Sequence, residues 1–212
     1  MPMQYWTNEK TEKSLATLNR IAKEIDFVLI GGWAVYFYVR AQMSEDVDVA
    51  ISYDSIEYFR KFGLKDYDGI NVKYTVLDDG TVIDIFLEQY SDNDLPFPVQ
   101  DIMSNYSVIG RIKVVSKEML LLLKLWGYFR FDEIKHRKDV IDVLTLLFYG
   151  DIDMEGVKKI ADRYNIDHRR SDAAILEYLD KGQNLQKFIT ETPEEYSALK
   201  KKYKELVQKT FG

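Results

Sequence analysis

The stretch "IGGWAVYFYVRAQMSEDVDVAI", residues 30–51, contains the two features that decide the fold. Gly31 and Gly32 directly follow an apolar run, and Asp46 and Asp48 stand one residue apart in a second apolar run. Burying a carboxylate without a partner is costly, so an apolar strand rarely carries acidic residues for packing reasons alone. The alternation in "DVDVAI" predicts a strand with both aspartates on one face.

The residues around this stretch, up to residue 115, show a mixture of helix and strand patterns. Apolar residues at helical spacing predict a helix over residues 9–25, and "FVLIGG" predicts a short buried strand. The Gly-Gly turn favours a helix for "WAVYFYV". Two alternating runs, "INVKYTVL" and "TVIDIFLE", are joined through Asp79-Gly80 and predict a hairpin. We expect a helix at "DSIEYFRKFG", a loop at "SDNDLPFPVQD" and a strand at "SVIGRIKVV".

From Ser116 onward, the sequence predicts helices alone. The helical segments are "SKEMLLLLKLWGYF", "KHRKDVIDVLTLLF", "MEGVKKIADRY", "DAAILEYLD" and "PEEYSALKKKYKELVQK". The predicted fold class is therefore α+β. An N-terminal mixed β-sheet core with flanking helices, residues 1–115, precedes a C-terminal helical bundle, residues 116–212, that packs on the core.

The composition limits both the chemistry and the expected location. The chain has 212 residues, a net charge of −6, no cysteine and two histidines. Disulfides and metal sites rich in Cys or His are excluded, so a metal would be a hard cation such as Mg²⁺ or Mn²⁺, held by oxygen ligands. The polar stretch "MPMQYWTNEK" does not resemble a signal peptide, and the longest apolar runs are too short to predict a membrane span. We expect a cytoplasmic protein without a membrane partner.

Asp84, in "TVIDIFLE", is a third carboxylate inside an otherwise apolar strand. If its strand lies beside that of Asp46 and Asp48, three carboxylates converge on one or two metal ions. A cation between such carboxylates would remove their repulsion, and a two-metal site of this kind suits phosphoryl or nucleotidyl transfer. The alternative is a solvated strand that alternates acidic and apolar residues for solubility.

The glycines also have a mechanical interpretation. A strand that runs through Gly31-Gly32 into a helix exposes backbone N–H groups at the helix N-terminus, where a phosphate is favoured. The alternative is a plain tight turn. The stretch lacks the lysine of a Walker P-loop and the third glycine of a dinucleotide fingerprint, which disfavours a P-loop kinase and a Rossmann dehydrogenase.

Together, these residues resemble the signature of the DNA polymerase β-like nucleotidyltransferase superfamily, in which Gly-Gly and a helix precede an acid-x-acid strand and a later single acid. The resemblance implies that Asp46 and Asp48 bind both metals and that Asp84 completes the metal site and acts as, or positions, the base. It also implies that Gly31 and Gly32 hold the nucleotide phosphates. Ser44 matches the small hydroxyl residue often found two positions before the first acid.

The helical part adds a second resemblance. "VVSKEMLLLLKLWGYFRFDEIKHRKDVIDVLTLL" is similar to the helical region of AbiEii-type toxin nucleotidyltransferases and small antibiotic nucleotidyltransferases. Lys124 and Lys138-Asp139-x-x-Asp142 match their motif, which implies that Lys124 contacts the triphosphate. Alternatively, Lys124 lies at the edge of an apolar helix, and the aspartates pair with lysines of their own helix. The relatives usually carry an arginine where this chain has Gln42.

The sequence therefore predicts a metal-dependent nucleotidyltransferase that uses an NTP as co-substrate. It would transfer an NMP to an acceptor hydroxyl or phosphate and release pyrophosphate. A toxin-like enzyme acting on tRNA or another macromolecule, with an antitoxin protein as a further partner, is the first choice. An antibiotic-modifying nucleotidyltransferase is the alternative within this class. The alternative of another class is a catalytically inactive binding module with the same fold.

Overall fold

The computed structural model describes residues 3–63, 65–66, 74–91, 95–127 and 133–212. Within these ranges the chain has a mixed α+β structure, as the sequence predicts. It forms two compact units. The sheet unit comprises Trp6–Phe37 and Met43–Ser116, and the helical unit comprises Met1–Tyr5, Tyr38–Gln42 and Lys117–Gly212.

The sheet unit is built around one mixed β-sheet. Its described strands are β1 (Val28–Ile30), β2 (Val47–Ile51), β3 (Lys65–Asp66), β4 (Tyr74–Asp78), β5 (Thr81–Leu87), β6 (Tyr106–Ile109) and β7 (Ile112–Val115). Their order across the sheet is β3-β4-β5-β2-β1-β7-β6. β2 pairs in parallel with β5 and antiparallel with β1, and β1 also pairs in parallel with β7.

The helices of the sheet unit are α1 (Asn8–Ile21), α2 (Gly31–Val39), α3 (Ile56–Arg60) and α4 (Val99–Ser104), although the last two residues of α2 belong to the helical unit. One face of β2 and β5 is apolar, because Val47 lies opposite Ile83 and Val49 lies opposite Ile85. All four side chains are completely buried. Burial of each such side chain contributes about 1.5–3 kcal/mol relative to exposure, so this apolar face fixes the register of the two strands.

The prediction of one strand at "SVIGRIKVV" is wrong. β6 and β7 form an antiparallel hairpin in which Ile109 pairs with Ile112. Gly110 lies between them with a φ of 65°, a left-handed conformation that glycine adopts without steric cost. Gly110 therefore allows the chain to turn at a position where the apolar pattern of the sequence continues without a break.

Other predicted boundaries of helices and loops differ from the observed ones by a few residues. α1 ends at Ile21 rather than at residue 25, and α4 begins at Val99, inside the predicted loop. A 3₁₀ turn at Tyr53–Ser55 precedes α3, so the helix predicted there is split. The start of the predicted hairpin, residues 70–73, lies outside the described residues. The helix predicted at "WAVYFYV" is confirmed as part of α2.

The helical unit contains α5 (Lys117–Trp126), α6 (Glu133–Tyr149), α7 (Met154–Arg163), α8 (Asp172–Lys181) and α9 (Pro193–Phe211). α9 begins at a capped turn, since Thr192 Oγ1 accepts a hydrogen bond from Glu195 N at 3.1 Å. The described residues after Ser116 contain no strand, as predicted. Packing of these helices on the sheet unit stays a prediction. None of the helices described combines the length and apolarity that a bilayer crossing requires.

Gln42 connects three segments of the helical unit. Its side chain is completely buried, and Nε2 donates to Met3 O at 2.7 Å and to Phe188 O at 2.9 Å. Its Oε1 accepts from Tyr5 N at 2.9 Å. Since the amide satisfies three backbone groups at once, Gln42 has a structural role.

We expect Gln42→Ala to lower the free energy of unfolding by about 2–4 kcal/mol, because three backbone groups lose their partner inside the protein. Urea unfolding followed by circular dichroism measures this change. Gln100→Ala, at an exposed position of α4, is the control and should change the value by less than about 0.5 kcal/mol. Equal urea midpoints for the two variants would contradict the structural role of Gln42.

Candidate active site

Asp48 and Asp84 lie side by side on neighbouring strands. In the parallel ladder of β2 and β5, the two residues are direct partners, so their side chains leave the sheet on the same face. Adjacent strands are about 4.8 Å apart, which brings the two carboxylates within reach of one ligand. This face is opposite to the apolar face formed by Val49 and Ile85.

Asp84 is held by a hydroxyl group from the next strand. It lies opposite Thr75 on β4, and Thr75 Oγ1 donates a hydrogen bond to Asp84 Oδ1 at 2.8 Å. The Asp84 side chain is nearly buried. The hydrogen bond fixes the orientation of the carboxylate.

Asp46 lies just before β2, and its carboxylate accepts a hydrogen bond from a residue of the same loop. Ser44 Oγ donates to Asp46 Oδ1 at 2.7 Å. The loop is fixed in turn by α1, since Ser14 Oγ donates to Ser44 O at 2.6 Å and accepts from Trp33 Nε1 at 3.1 Å. These contacts join α1, α2 and the start of β2, so the position of Asp46 depends on all three elements.

Gly31 is the point where β1 passes into α2. Its φ is 69°, and a Cβ atom on this residue would lie 1.9 Å from Asp48 Oδ2. Only glycine permits both the conformation and this close approach. Asp48 therefore lies against the first turn of α2, where the helix dipole favours a negative charge. A nucleotide phosphate is favoured at the same helix end. Gly32, the second residue of α2, is buried.

The donor atoms fit a hard divalent cation. Asp48 and Asp84 present carboxylate oxygens on one face, which is the ligand type that Mg²⁺ and Mn²⁺ prefer. Among the described residues, no three His, Cys, Asp or Glu side chains lie close enough to hold one metal ion as they stand. Convergence of Asp46 with the other two carboxylates stays a prediction.

Lys124 belongs to a buried group of charges in the helical unit. Its Nζ lies 2.8 Å from Asp142 Oδ2 and 3.3 Å from Asp139 Oδ1. Lys138, four residues before Asp142 on α6, also pairs with Asp142. Among the described residues, two ammonium groups thus face two carboxylates. The predicted contact between Lys124 and a triphosphate stays a prediction.

The charge state of Asp142 follows from this cluster. Complete burial by itself raises the pKa of Asp142, but the Lys124 and Lys138 ammonium groups outweigh burial and hold the pKa below its ordinary value. Asp142 is therefore ionised at neutral pH, and the ion pairs stay formed.

Sequence reasoning missed Ser14, Trp33 and Thr75, which position the predicted residues. The sequence contains one sign of the role of Ser14, because Ser14 is a polar residue within the apolar stripe of α1. The structure shows that its side chain is completely buried. Thr75 gave none, since its role depends on the register between β4 and β5.

The chain matches a known protein family over most of its length. The family described as nucleotidyl transferase AbiEii toxin, type IV TA system, matches residues 52–211, which is well over half of the chain. The matched range contains Asp84 and Lys124, and it begins shortly after Asp48. No curated protein matches the chain.

We expect Gly31→Ala to destabilise the protein by about 3–5 kcal/mol, because a strained φ is combined with a clash against Asp48. Gly110→Ala is the matched control, since Gly110 has a φ of 65° and open space around its Cα. That variant should cost only about 1 kcal/mol. Thermal unfolding measures both, and adding Asp48→Ala to Gly31→Ala should restore part of the loss. Equal losses in the two glycine variants would contradict the close approach.

We expect the stabilisation by Asp142 to depend on pH. Because the folded-state pKa is lowered, the stabilisation is complete above the unfolded-state pKa of about 3.9 and is lost as the pH falls through the folded-state pKa. Asp142→Asn should therefore cost about 3 kcal/mol at neutral pH and less in acid. Urea unfolding at both pH values measures the difference, with exposed Asp54→Asn as the control. A cost that does not change with pH would contradict the ion-pair assignment.

Proposed function

Because the chain belongs to the AbiEii nucleotidyl transferase toxin family, we propose that it transfers a nucleoside monophosphate from an NTP to an acceptor hydroxyl or phosphate. The acceptor oxygen would form a bond to the α-phosphorus while the bond from that phosphorus to the bridging oxygen breaks. The acceptor loses its proton, and pyrophosphate leaves.

The observation that carries this proposal is the direct pairing of Asp48 with Asp84 beside Gly31. Two carboxylates and a helix N-terminus in one region combine the ligands of a divalent cation with a site for a phosphate. Asp46, two residues before Asp48, is proposed as the third ligand. A bound Mg²⁺ or Mn²⁺ would neutralise these carboxylates and stabilise the charge of the transferred phosphoryl group.

Some residues of the proposed site would bind the NTP, and others would position the acceptor hydroxyl. Gly31 and Gly32 would bind the triphosphate through the backbone of α2, where no side chain obstructs its approach. Asp84, oriented by Thr75, would accept or direct the proton of the attacking hydroxyl. Ser44 would hold Asp46 in place through the hydrogen bond already formed between them.

Lys124 is proposed as a further contact to the triphosphate. Its ammonium group would stabilise the charge that develops on the leaving pyrophosphate. The pairing with Asp139 and Asp142 supports this role in one respect, because it fixes the position of the ammonium group.

For the acceptor, we propose tRNA or another cellular macromolecule, as suits a toxin whose family is described as part of a type IV toxin–antitoxin system. An antitoxin protein would then be a partner in the cell, and the cytoplasm would be the site of action. Growth arrest on expression that is relieved by Asp48→Asn would support this acceptor class, whereas raised drug tolerance would point to an antibiotic acceptor.

We expect Asp48→Asn and Asp84→Asn each to lower transfer at least about 100-fold, because each removes a negative oxygen from the proposed cation site. Total RNA and total protein, incubated with Mg²⁺ and each α-labelled NTP, reveal the acceptor and give the rates. Asp54→Asn, on the exposed turn before α3, is the matched control and should keep the wild-type rate.

Two results would contradict the proposal. One is the absence of a labelled acceptor with every NTP. The other is full activity in both Asp48→Asn and Asp84→Asn. If the wild type labels nothing and its melting temperature is also unchanged by Mg²⁺ with ATP, the chain acts as an inactive binding module.

A further inference from the structure

An exposed apolar pair lies next to Asp84 on the carboxylate face of the sheet. Leu77 and Val82 are direct partners in the antiparallel ladder of β4 and β5, and they are 67% and 39% exposed. Val82 is two residues before Asp84 and Leu77 is two residues after Thr75, so all four side chains share one face. The hydrogen bond between Thr75 and Asp84 confirms this orientation.

The strand order assigns Leu77 to the side of Asp84 that is away from Gly31, and Val82 lies on the same strand as Asp84. Across this part of the sheet the order is β1, which ends just before Gly31, then β2 with Asp48, β5 with Asp84 and Val82, and β4 with Leu77. The proposed triphosphate site is at β1, so the donor approaches from that side. In-line transfer places the attacking and leaving oxygens on opposite sides of the phosphorus. The acceptor therefore approaches over β5 and β4.

The size of the pair limits what it can contact. It is bounded by the Asp79-Gly80 turn at one end and by Asp84 at the other. A stable protein interface buries about 1,200–2,000 Å², far more than two side chains provide. The pair is, in contrast, large enough to cover one face of a single planar ring.

The separation along the strand matches the geometry of a nucleoside. Val82 is two residues from Asp84, about 7 Å along the strand. A hydroxyl held at Asp84 would therefore leave the base of the same ribose over the Leu77–Val82 pair. Packing of the base on the two aliphatic side chains would remove apolar surface of both from water, which favours binding.

We propose that Leu77 and Val82 form the subsite for the nucleobase of the acceptor nucleoside whose hydroxyl is held at Asp84. This inference rests on the proposed function. It assigns to the two residues a role in acceptor selection and no part in the chemical step.

The test uses two short single-stranded RNAs, one ending in adenosine and one ending in an abasic ribose. Both are incubated with the full chain, Mg²⁺ and each α-labelled NTP, and kcat/KM is measured for each RNA. We expect the wild type to prefer the RNA ending in adenosine by about tenfold, since only its terminal sugar carries a base for the apolar pair. In the Leu77→Thr/Val82→Thr variant, the preference should fall below about threefold.

Val108→Thr is the matched control, because Val108 is an exposed apolar residue on β6, at the far edge of the same sheet. It should keep the tenfold preference expected from base packing. Threonine retains β-branching, so the substitutions preserve strand propensity. If the double variant does not fold, as judged by circular dichroism, Val82→Thr alone replaces it and should still halve the preference.

Each other outcome overturns the inference. A wild-type preference that the variant retains, or equal use of both RNAs by the wild type, shows that the pair does not bind a base. A wild type that labels an acceptor in a cell extract but neither RNA removes the inference and leaves the proposed function intact. A wild type that labels nothing removes both.

Discussion

The parallel ladder between β2 and β5 is the constraint on which the proposed site depends. Its register is set by the buried pairs of Val47 with Ile83 and Val49 with Ile85 on the apolar face. A slip of one residue would expose these side chains and turn Asp84 toward the core, at a cost that no surface contact could offset. Packing on one face of the sheet therefore specifies the chemistry of the other face.

The sequence predicts the helices and strands better than it predicts which of them lie side by side. Alternation indicated β2 and β5 and helical spacing indicated the helices after Ser116, because side-chain burial has a period that is visible locally. The Gly-Gly turn, and not a period, indicated α2. The turn at Gly110 was missed because the apolar pattern continues through it. Strand order and register were beyond reach, so the pairing of Asp48 with Asp84 and the contact of Thr75 with Asp84 could not be derived. Ser14 and Ser44 meet only because α1 lies against the loop before β2.

The buried charges of the helical unit combine the two interpretations that the sequence left open. Lys138 pairs with Asp142 on its own helix, as a structural ion pair would. Lys124 reaches the same carboxylate from α5, so the aspartates also hold the lysine proposed to bind phosphate. A phosphate that drew Lys124 away would leave Asp142 with one cation instead of two. Binding at Lys124 is therefore linked to the packing of α5 against α6.

The helical unit is discontinuous in sequence, and this affects how the protein forms during synthesis. The residues of the sheet unit are all present once Ser116 has left the ribosome. The segments Met1–Tyr5 and Tyr38–Gln42 belong with helices that are translated last, and Gln42 bonds to Phe188. The two segments can bond to each other early, since Tyr5 N donates to Gln42 Oε1, but the bond to Phe188 must wait until translation is nearly finished. A chain truncated before Phe188 would carry all the described strands and would leave Gln42 without its bond to that residue.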